Sequence, residues 1–153
     1  MSETLDDIAN GDPGWDSGLS FIITHVKVDT GLAEQMPLYC FHSHALLELV
    51  FVISGKSEIW ANTGRARAEG PFLILYPKGM LHIQQNREGT PYERYAYSVP
   101  EDICEYMIAQ NDGVDITDRF LVIRPDAASS GLFDKCFSTL NETTPTDSRR
   151  RRT

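Results

Sequence analysis

His42, His44 and Glu48 stand at the head of the stretch CFHSHALLELVFVISGKSEIW, which starts at Cys40. Two imidazoles one residue apart and a carboxylate four residues on lead into a long apolar run. Titratable groups inside such a strand-like segment are costly to bury without partners. Three roles suit them: metal ligands, an acid–base pair, or the polar floor of a ligand pocket that does no chemistry. The three share parity, so on one continuous strand they would face the same way. His82 lies far off, after the turn PKGML, and a closed barrel would bring it opposite the first pair. Three imidazoles and one carboxylate suit a divalent transition ion such as zinc, iron, manganese or nickel, with positions left for water or a ligand. By spacing alone, histidines capping a strand end and a glutamate bonded to neighbouring backbone account for the same residues.

The elements that must position these groups are short strands divided by turns. LSFIITHVKVD (19–29), residues 38–44 and 47–53, SEIWAN, RARA, PFLILY (71–76), LHIQQ and YERYAYSV all read as strands. NTG at 62–64 is a hairpin turn, because Asn and Gly tolerate the backbone angles required. After Pro100 the character changes. EDICEYMIAQN spaces Ile103, Met107 and Ile108 helically, with acids in its first turn. RFLVIRP is one more strand. DAASSGLFDKCFSTLNE puts Leu132, Phe133, Cys136, Phe137 and Leu140 on one helical face, which needs either the sheet or a second copy of itself as partner. Many short strands with frequent turns indicate a sandwich or barrel. His25 reads as a satisfied strand histidine, and Glu93 with Arg94 as a surface pair.

Bulk properties narrow the function classes. The chain has 153 residues, 41% hydrophobic and 24% charged, which is one ordinary soluble domain. Its formal net charge of -8 argues against these residues gripping a nucleic-acid backbone by themselves. Four of the 14 basic residues are the run Arg149–Arg152, so the body is more acidic still and the end is a basic, solvated tail. The 3 cysteines are far apart, odd in number and without a C-x-x-C, as expected for reduced thiols in the cytoplasm. The acidic beginning MSETLDDIANGDPGWDSG has no signal-peptide pattern, and no apolar run reaches the length of a membrane span.

Two motifs carry a resemblance. HSHALLELVFVISG resembles the first cupin motif: His-x-His, three residues, Glu, six residues, Gly. PKGMLHIQQN resembles the second: Pro-x-Gly, two residues, His, three residues, Asn. The spacer between them is short, as in small single-domain cupins. The resemblance implies a mainly β fold, the cupin (double-stranded β-helix or jelly-roll) barrel, followed by C-terminal helices. It also implies metal ligation by His42, His44, Glu48 and His82. Two turn features depart from the pattern. Met36 stands where a glycine is expected, and Gly70 precedes its expected place, which Pro71 takes.

Within the cupins, residues 19–140 are similar to the N-terminal sensor domain of AraC-type transcriptional regulators. The similarity rests on His-x-His followed by EL and V-x-SG, on the LILYP strand, and on YERYAYSV ending in Pro. It implies a small, sugar-like effector inside the barrel, with Tyr39, Trp60, Tyr95 and Tyr97 as candidates for the lining. It further implies a homodimer through the last helices, and DNA contact only through a helix-turn-helix half beyond SRRRRT. The corresponding division is an arm at 1–18, a cupin barrel at 19–124, a C-terminal helix at 125–142 and a basic tail or linker at 143–153. A stand-alone metal-dependent cupin enzyme, a dioxygenase or isomerase, is the alternative. A dimer module without an effector is the third reading.

Overall fold

A computed structural model of the chain describes residues 23–29, 41–87, 89–110 and 119–143. The arm at 1–18, Tyr39 and the arginine run lie outside the described residues. In chain order the elements are β1 (Ile23–Val28), β2 (Leu47–Ser54), β3 (Lys56–Ala61), β4 (Gly64–Glu69), β5 (Phe72–Tyr76), β6 (His82–Asn86), β7 (Tyr92–Val99), α1 (Glu101–Gln110), β8 (Leu121–Ile123) and α2 (Ala127–Thr143). Their ladders are antiparallel. They form a five-stranded sheet in the order β1-β7-β2-β5-β8 and a three-stranded sheet in the order β4-β3-β6.

Strand alternation sorts the side chains into layers. Val50 and Val52 of β2, Phe72, Ile74 and Tyr76 of β5, and Tyr92 and Ala96 of β7 meet Ile59 and Ala68 of the smaller sheet in the inner core. The opposite parity gives Phe51, Leu73 and Tyr95, which pack under α2 against Phe137. The larger sheet is therefore covered on both faces, and β5 is buried along its whole length. Two-sided burial is what an uninterrupted apolar run such as FLILY serves.

The helix α2 starts where the Asp126 carboxylate accepts the Ser129 N–H at 2.7 Å, an N-cap that satisfies one of the first turn's orphan donors. Phe137 stacks on Phe51 with ring centroids 5.6 Å apart and lies 6.0 Å from Tyr95, while Phe133 meets Phe51 edge-on at 5.9 Å. The apolar face read from the sequence thus divides. Phe133, Phe137 and Leu140 pack on the sheet. Leu132, at 59% exposure, and Cys136 stay outside. Cys104 of α1 packs against the cluster of Leu47, Leu75 and Val99.

The mainly β, jelly-roll class expected from the sequence is the observed one. One element differs. His42 and His44 are not on one continuous strand with Glu48: His42 makes an isolated bridge to His82, the chain bends at Ala45 and Leu46, and β2 begins only at Leu47. Among the described residues no helix is long and apolar enough to cross a membrane.

Candidate functional site

The bend at Ala45–Leu46 carries the chain from the edge of the smaller sheet into the larger one, and the histidines sit on that seam. The His42 N–H donates to the His82 carbonyl at 3.0 Å, and the His82 N–H returns to the His42 carbonyl at 2.9 Å. The Gly79 N–H, from the PKGM turn, donates to the His44 carbonyl at 2.8 Å. Three backbone hydrogen bonds thus fasten the two sequence motifs together, independently of any side chain. Glu48 then enters from β2. The three rings lie with centroids 4.9, 4.5 and 5.3 Å apart, and one nitrogen from each of His42, His44 and His82 falls within 4.8 Å of the others. Glu48 forms an ion pair with His44 Nε2. The three imidazoles could hold a metal, and Glu48 stands beside them through His44.

Each group is held in a defined state. His82 is 2% exposed, and its Nδ1 lies 2.9 Å from the Met80 carbonyl. That contact assigns the proton to Nδ1 and leaves the Nε2 lone pair facing the cluster, the orientation a ligating histidine needs. Burial, with His42 and His44 beside it, outweighs the attraction of Glu48 and pulls the His82 pKa down to about 4. Burial alone would raise the Glu48 pKa. The hydrogen bond and charge of His44, with His82 and Arg94 nearby, lower it to about 2. Burial works against protonated His44, but the Glu48 partner prevails and raises its pKa.

These directions fix a pH dependence for the metal-free protein. Folded His82 releases its proton near 4 and the ordinary value is 6.5, so the unfolded chain binds more protons in that window. Its contribution is present above 6.5 and is lost as the pH falls toward 4. The Glu48 contribution has the same sign and is lost between 4.5 and about 2. The thermal midpoint in EDTA is expected to fall across the His82 window, and His82→Gln to flatten that part of the curve. A profile unchanged by the substitution would show that His82 is not the group responsible.

A small cavity of about 60 Å³ adjoins the cluster, with His42, Glu48 and His82 on one side and Tyr76, Gln84, Asn86, Tyr92 and Arg94 on the other. Tyr76 stacks flat on His82, with centroids 3.8 Å apart and an interplanar angle of 11°. Its hydroxyl donates to Gln84 Oε1 at 2.9 Å. The Gln84 amide reaches Ser57 Oγ at 3.4 Å and Tyr92 Oη at 3.5 Å, and Ser57 Oγ donates to Asn86 Oδ1 at 2.9 Å. Burial raises both tyrosine pKa values, so the phenols stay protonated. Ser98, opposite Glu48 in the β2–β7 register, has a buried Oγ without a hydrogen-bond partner among the described residues.

The structure brings His42, His44, Glu48 and His82 together. Three of the expected aromatics, Trp60, Tyr95 and Tyr97, lie elsewhere. Tyr95 lies under α2, and Tyr97 shares its parity on β7, packing against the cluster of Ile23, Phe51, Leu73, Tyr95 and Phe137 outside the inner core. Trp60 is on the outer face of β3, 37% exposed, with the Arg65 guanidinium 5.1 Å above its ring. Glu93 and Arg94 are not a surface pair. Glu93 turns outward to His25 at 2.9 Å and Lys27 at 3.9 Å, whereas Arg94 lines the cavity. Tyr76, Gln84 and Tyr92 went unread in the sequence and Arg94 was read as a surface group, although the parity of YERYAYSV already sets Tyr92 and Arg94 on one face.

No family model and no curated protein sequence matches the chain. Among solved structures, ToxT from Vibrio cholerae strain SCE256 with an unsaturated fatty acid bound is similar at TM-score 0.58 and 7% identity, over 79% of this chain and 47% of that one. ToxT from Vibrio cholerae O395 bound to (E)-4-(8-methylnaphthalen-1-yl)but-3-enoic acid gives 0.56 and 8%, over 82% and 50%. A further O395 ToxT structure gives 0.55 and 8%, over 82% and 47%. This chain spans about half the length of each. ToxT is an AraC-family regulator whose N-terminal domain is cupin-like. At these identities the likeness is one of fold alone: two antiparallel sheets and a covering helix of the mainly β, jelly-roll class.

Proposed function

We propose that this chain is the small-molecule-sensing domain of an AraC-type regulator, with a divalent metal ion held by His42, His44, Glu48 and His82. The observation that carries the reading is the seam. Backbone hydrogen bonds, not side-chain contacts, bring three imidazoles together beside an ionised carboxylate, and His42, His82 and Glu48 of this group line a small cavity. The donor set fits zinc, iron, manganese or nickel: His82 is neutral with one nitrogen committed to Met80, and Glu48 is charged. A bound ion would offer a Lewis-acidic position to an oxygen of the effector.

A sugar-like effector loses its main support, because Trp60, Tyr95 and Tyr97 do not line the cavity. ToxT holds organic acids in two of the similar structures, which supports small-molecule binding in this fold without naming the ligand here. The effector would act by population shift, binding one arrangement of the domain better than another. Association through α2 belongs to the same proposal, supported by the exposed Leu132. A metal-dependent dioxygenase or isomerase would use the same ligands. Against it stands a cavity of about 60 Å³, room for one small group but not for substrate and co-substrate together.

Elemental analysis of protein purified without added metal tests the proposal, and about one divalent ion per chain is expected. Metal-free protein that gains no thermal stability from zinc, manganese, nickel or iron(II) would sink the metal part. A thermal-shift screen then separates sensing from catalysis, since a sensed ligand raises the midpoint and is recovered unchanged.

A further inference from the structure

We propose that Ser98 is a positioning residue for the metal centre, its hydroxyl holding the Glu48 carboxylate once that carboxylate exchanges His44 for the ion. The inference rests on reading His42, His44, Glu48 and His82 as the ligand set. It adds a residue that neither sequence motif contains.

An orphan hydroxyl is the first observation. Ser98 is 2% exposed, and its Oγ has no hydrogen-bond partner among the described residues. Burying a hydroxyl in that state is costly, and an alanine would occupy the same place on the strand without the cost. The hydroxyl is accounted for by an arrangement of the site in which it is bonded.

Strand pairing supplies the partner. Tyr76, Glu48 and Ser98 form one row across β5, β2 and β7. Ser98 has the parity of Ala96, in the inner core, and of Tyr92 and Arg94, which line the cavity, so it shares the inner face with Glu48. Residues directly opposite in an antiparallel pair hold their Cβ atoms about 4.5–5.5 Å apart, within reach of a serine hydroxyl and a glutamate carboxylate. The donors around them are already committed. The Tyr76 hydroxyl goes to Gln84, and His82 Nδ1 faces the Met80 carbonyl. Ser98 brings the uncommitted donor to this row.

The chemistry of the ligands gives that donor its task. In the metal-free protein Glu48 is partnered by His44 Nε2. A nitrogen that offers its lone pair to an ion cannot also donate a proton to a carboxylate. Glu48 therefore loses this partner when His44 ligates through Nε2. The carboxylate then turns one oxygen to the ion, and the Ser98 O–H donates to the other, fixing its orientation as outer-shell partners of ligating carboxylates do. Because Ser98 is bonded in this arrangement and orphaned in the metal-free one, its hydroxyl favours the metal-bound state.

The test uses the full chain with zinc as the probe. It compares wild type, Ser98→Ala, Ser98→Thr, Glu48→Gln and the Ser98→Ala, Glu48→Gln double variant. Competition with a chromophoric chelator reads zinc affinity, and the thermal midpoint in EDTA reads the metal-free fold. Ser98→Ala is expected to weaken zinc binding roughly 10-fold, while its midpoint in EDTA stays at or above that of wild type because an orphan hydroxyl is gone. Ser98→Thr, which keeps a hydroxyl, should bind zinc more tightly than Ser98→Ala. Once Glu48→Gln is present, Ser98→Ala should change the affinity by less than about twofold, since the two residues act as one unit. A lowered midpoint in EDTA with unchanged zinc affinity would make Ser98 an ordinary packing residue and overturn the inference. An equal loss with and without Glu48→Gln would overturn it as well, by showing that Glu48 is not the partner. Unchanged affinity in Ser98→Ala, with wild type binding about one ion, sinks this inference alone. A wild-type chain that binds no zinc sinks both it and the metal reading beneath it.

Discussion

Replacing His82 with alanine is expected to weaken divalent-metal binding by at least about 100-fold, because loss of a direct ligand exceeds the 10- to 100-fold typical of an outer-shell partner. The substitution removes the imidazole that faces the His42–His44 pair across the seam and leaves those two imidazoles beside Glu48. It leaves the scaffold in place, since the His42–His82 bridge is made by backbone atoms. The imidazole also packs flat on Tyr76, and its loss opens a void that should cost about 2–3 kcal/mol. His82→Gln, which keeps more of the volume, separates the two effects: it should lose metal affinity with a smaller drop in stability. Competition against a chromophoric chelator measures the affinity, and the thermal midpoint in EDTA measures the packing. Trp60→Ala, on the outer face, serves as the control and should leave metal affinity unchanged. Wild-type affinity in His82→Ala would place the ion elsewhere in the chain.

Most of the fold was legible because its strands are short, alternate cleanly and end at Gly, Pro and Asn. The grouping of His42, His44, Glu48 and His82 was legible through the spacing of the two motifs. What escaped reading follows from geometry that spacing does not encode. His42, His44 and Glu48 share parity, yet a continuous apolar run gives no sign that the chain changes sheets at Ala45 and Leu46. Glu93 and Arg94 looked like partners because they are adjacent, but adjacent residues on a strand face opposite ways. Glu93 goes out to His25 and Lys27, and Arg94 goes in. The same rule, applied to Tyr95 and Tyr97, sends them with Glu93 to the helix-covered face. Trp60 shares parity with Lys56 and Glu58, two charged residues that mark the solvent side of β3. Aromatic character suggested a ligand platform in each case, and strand parity decided against it.

Gly70→Ala is expected to be among the most damaging single substitutions, costing about 2–4 kcal/mol through overpacking that has no soft neighbour to absorb it. A Cβ there would lie 2.8 Å from the Ile53 carbonyl oxygen, 2.9 Å from its carbon and 2.9 Å from the Ser54 Cα, all backbone atoms of β2. The glycine that stands one place early in the second motif is therefore required by this close approach. Its N–H donates to the Gly55 carbonyl at 2.8 Å, which ties the β4–β5 turn to the β2–β3 turn. Gly55 is constrained differently. Its φ of +114° disfavours any side chain, and a Cβ would meet Tyr92 Cδ2 at 2.7 Å and the Pro91 carbonyl at 3.2 Å. The Tyr92 ring can give way where the Ile53 backbone cannot, but Tyr92 lines the cavity. Gly55→Ala should accordingly lower stability and also shift ligand affinity, whereas Gly70→Ala should act on stability alone. Because the two turns are bonded to each other, the double variant should lose less than the sum of the single losses. Urea unfolding at constant m-value reads all three losses. A Gly70→Ala protein within about 0.5 kcal/mol of wild type would mean that the turn moves off Ile53 freely and does not brace the strand that carries Glu48.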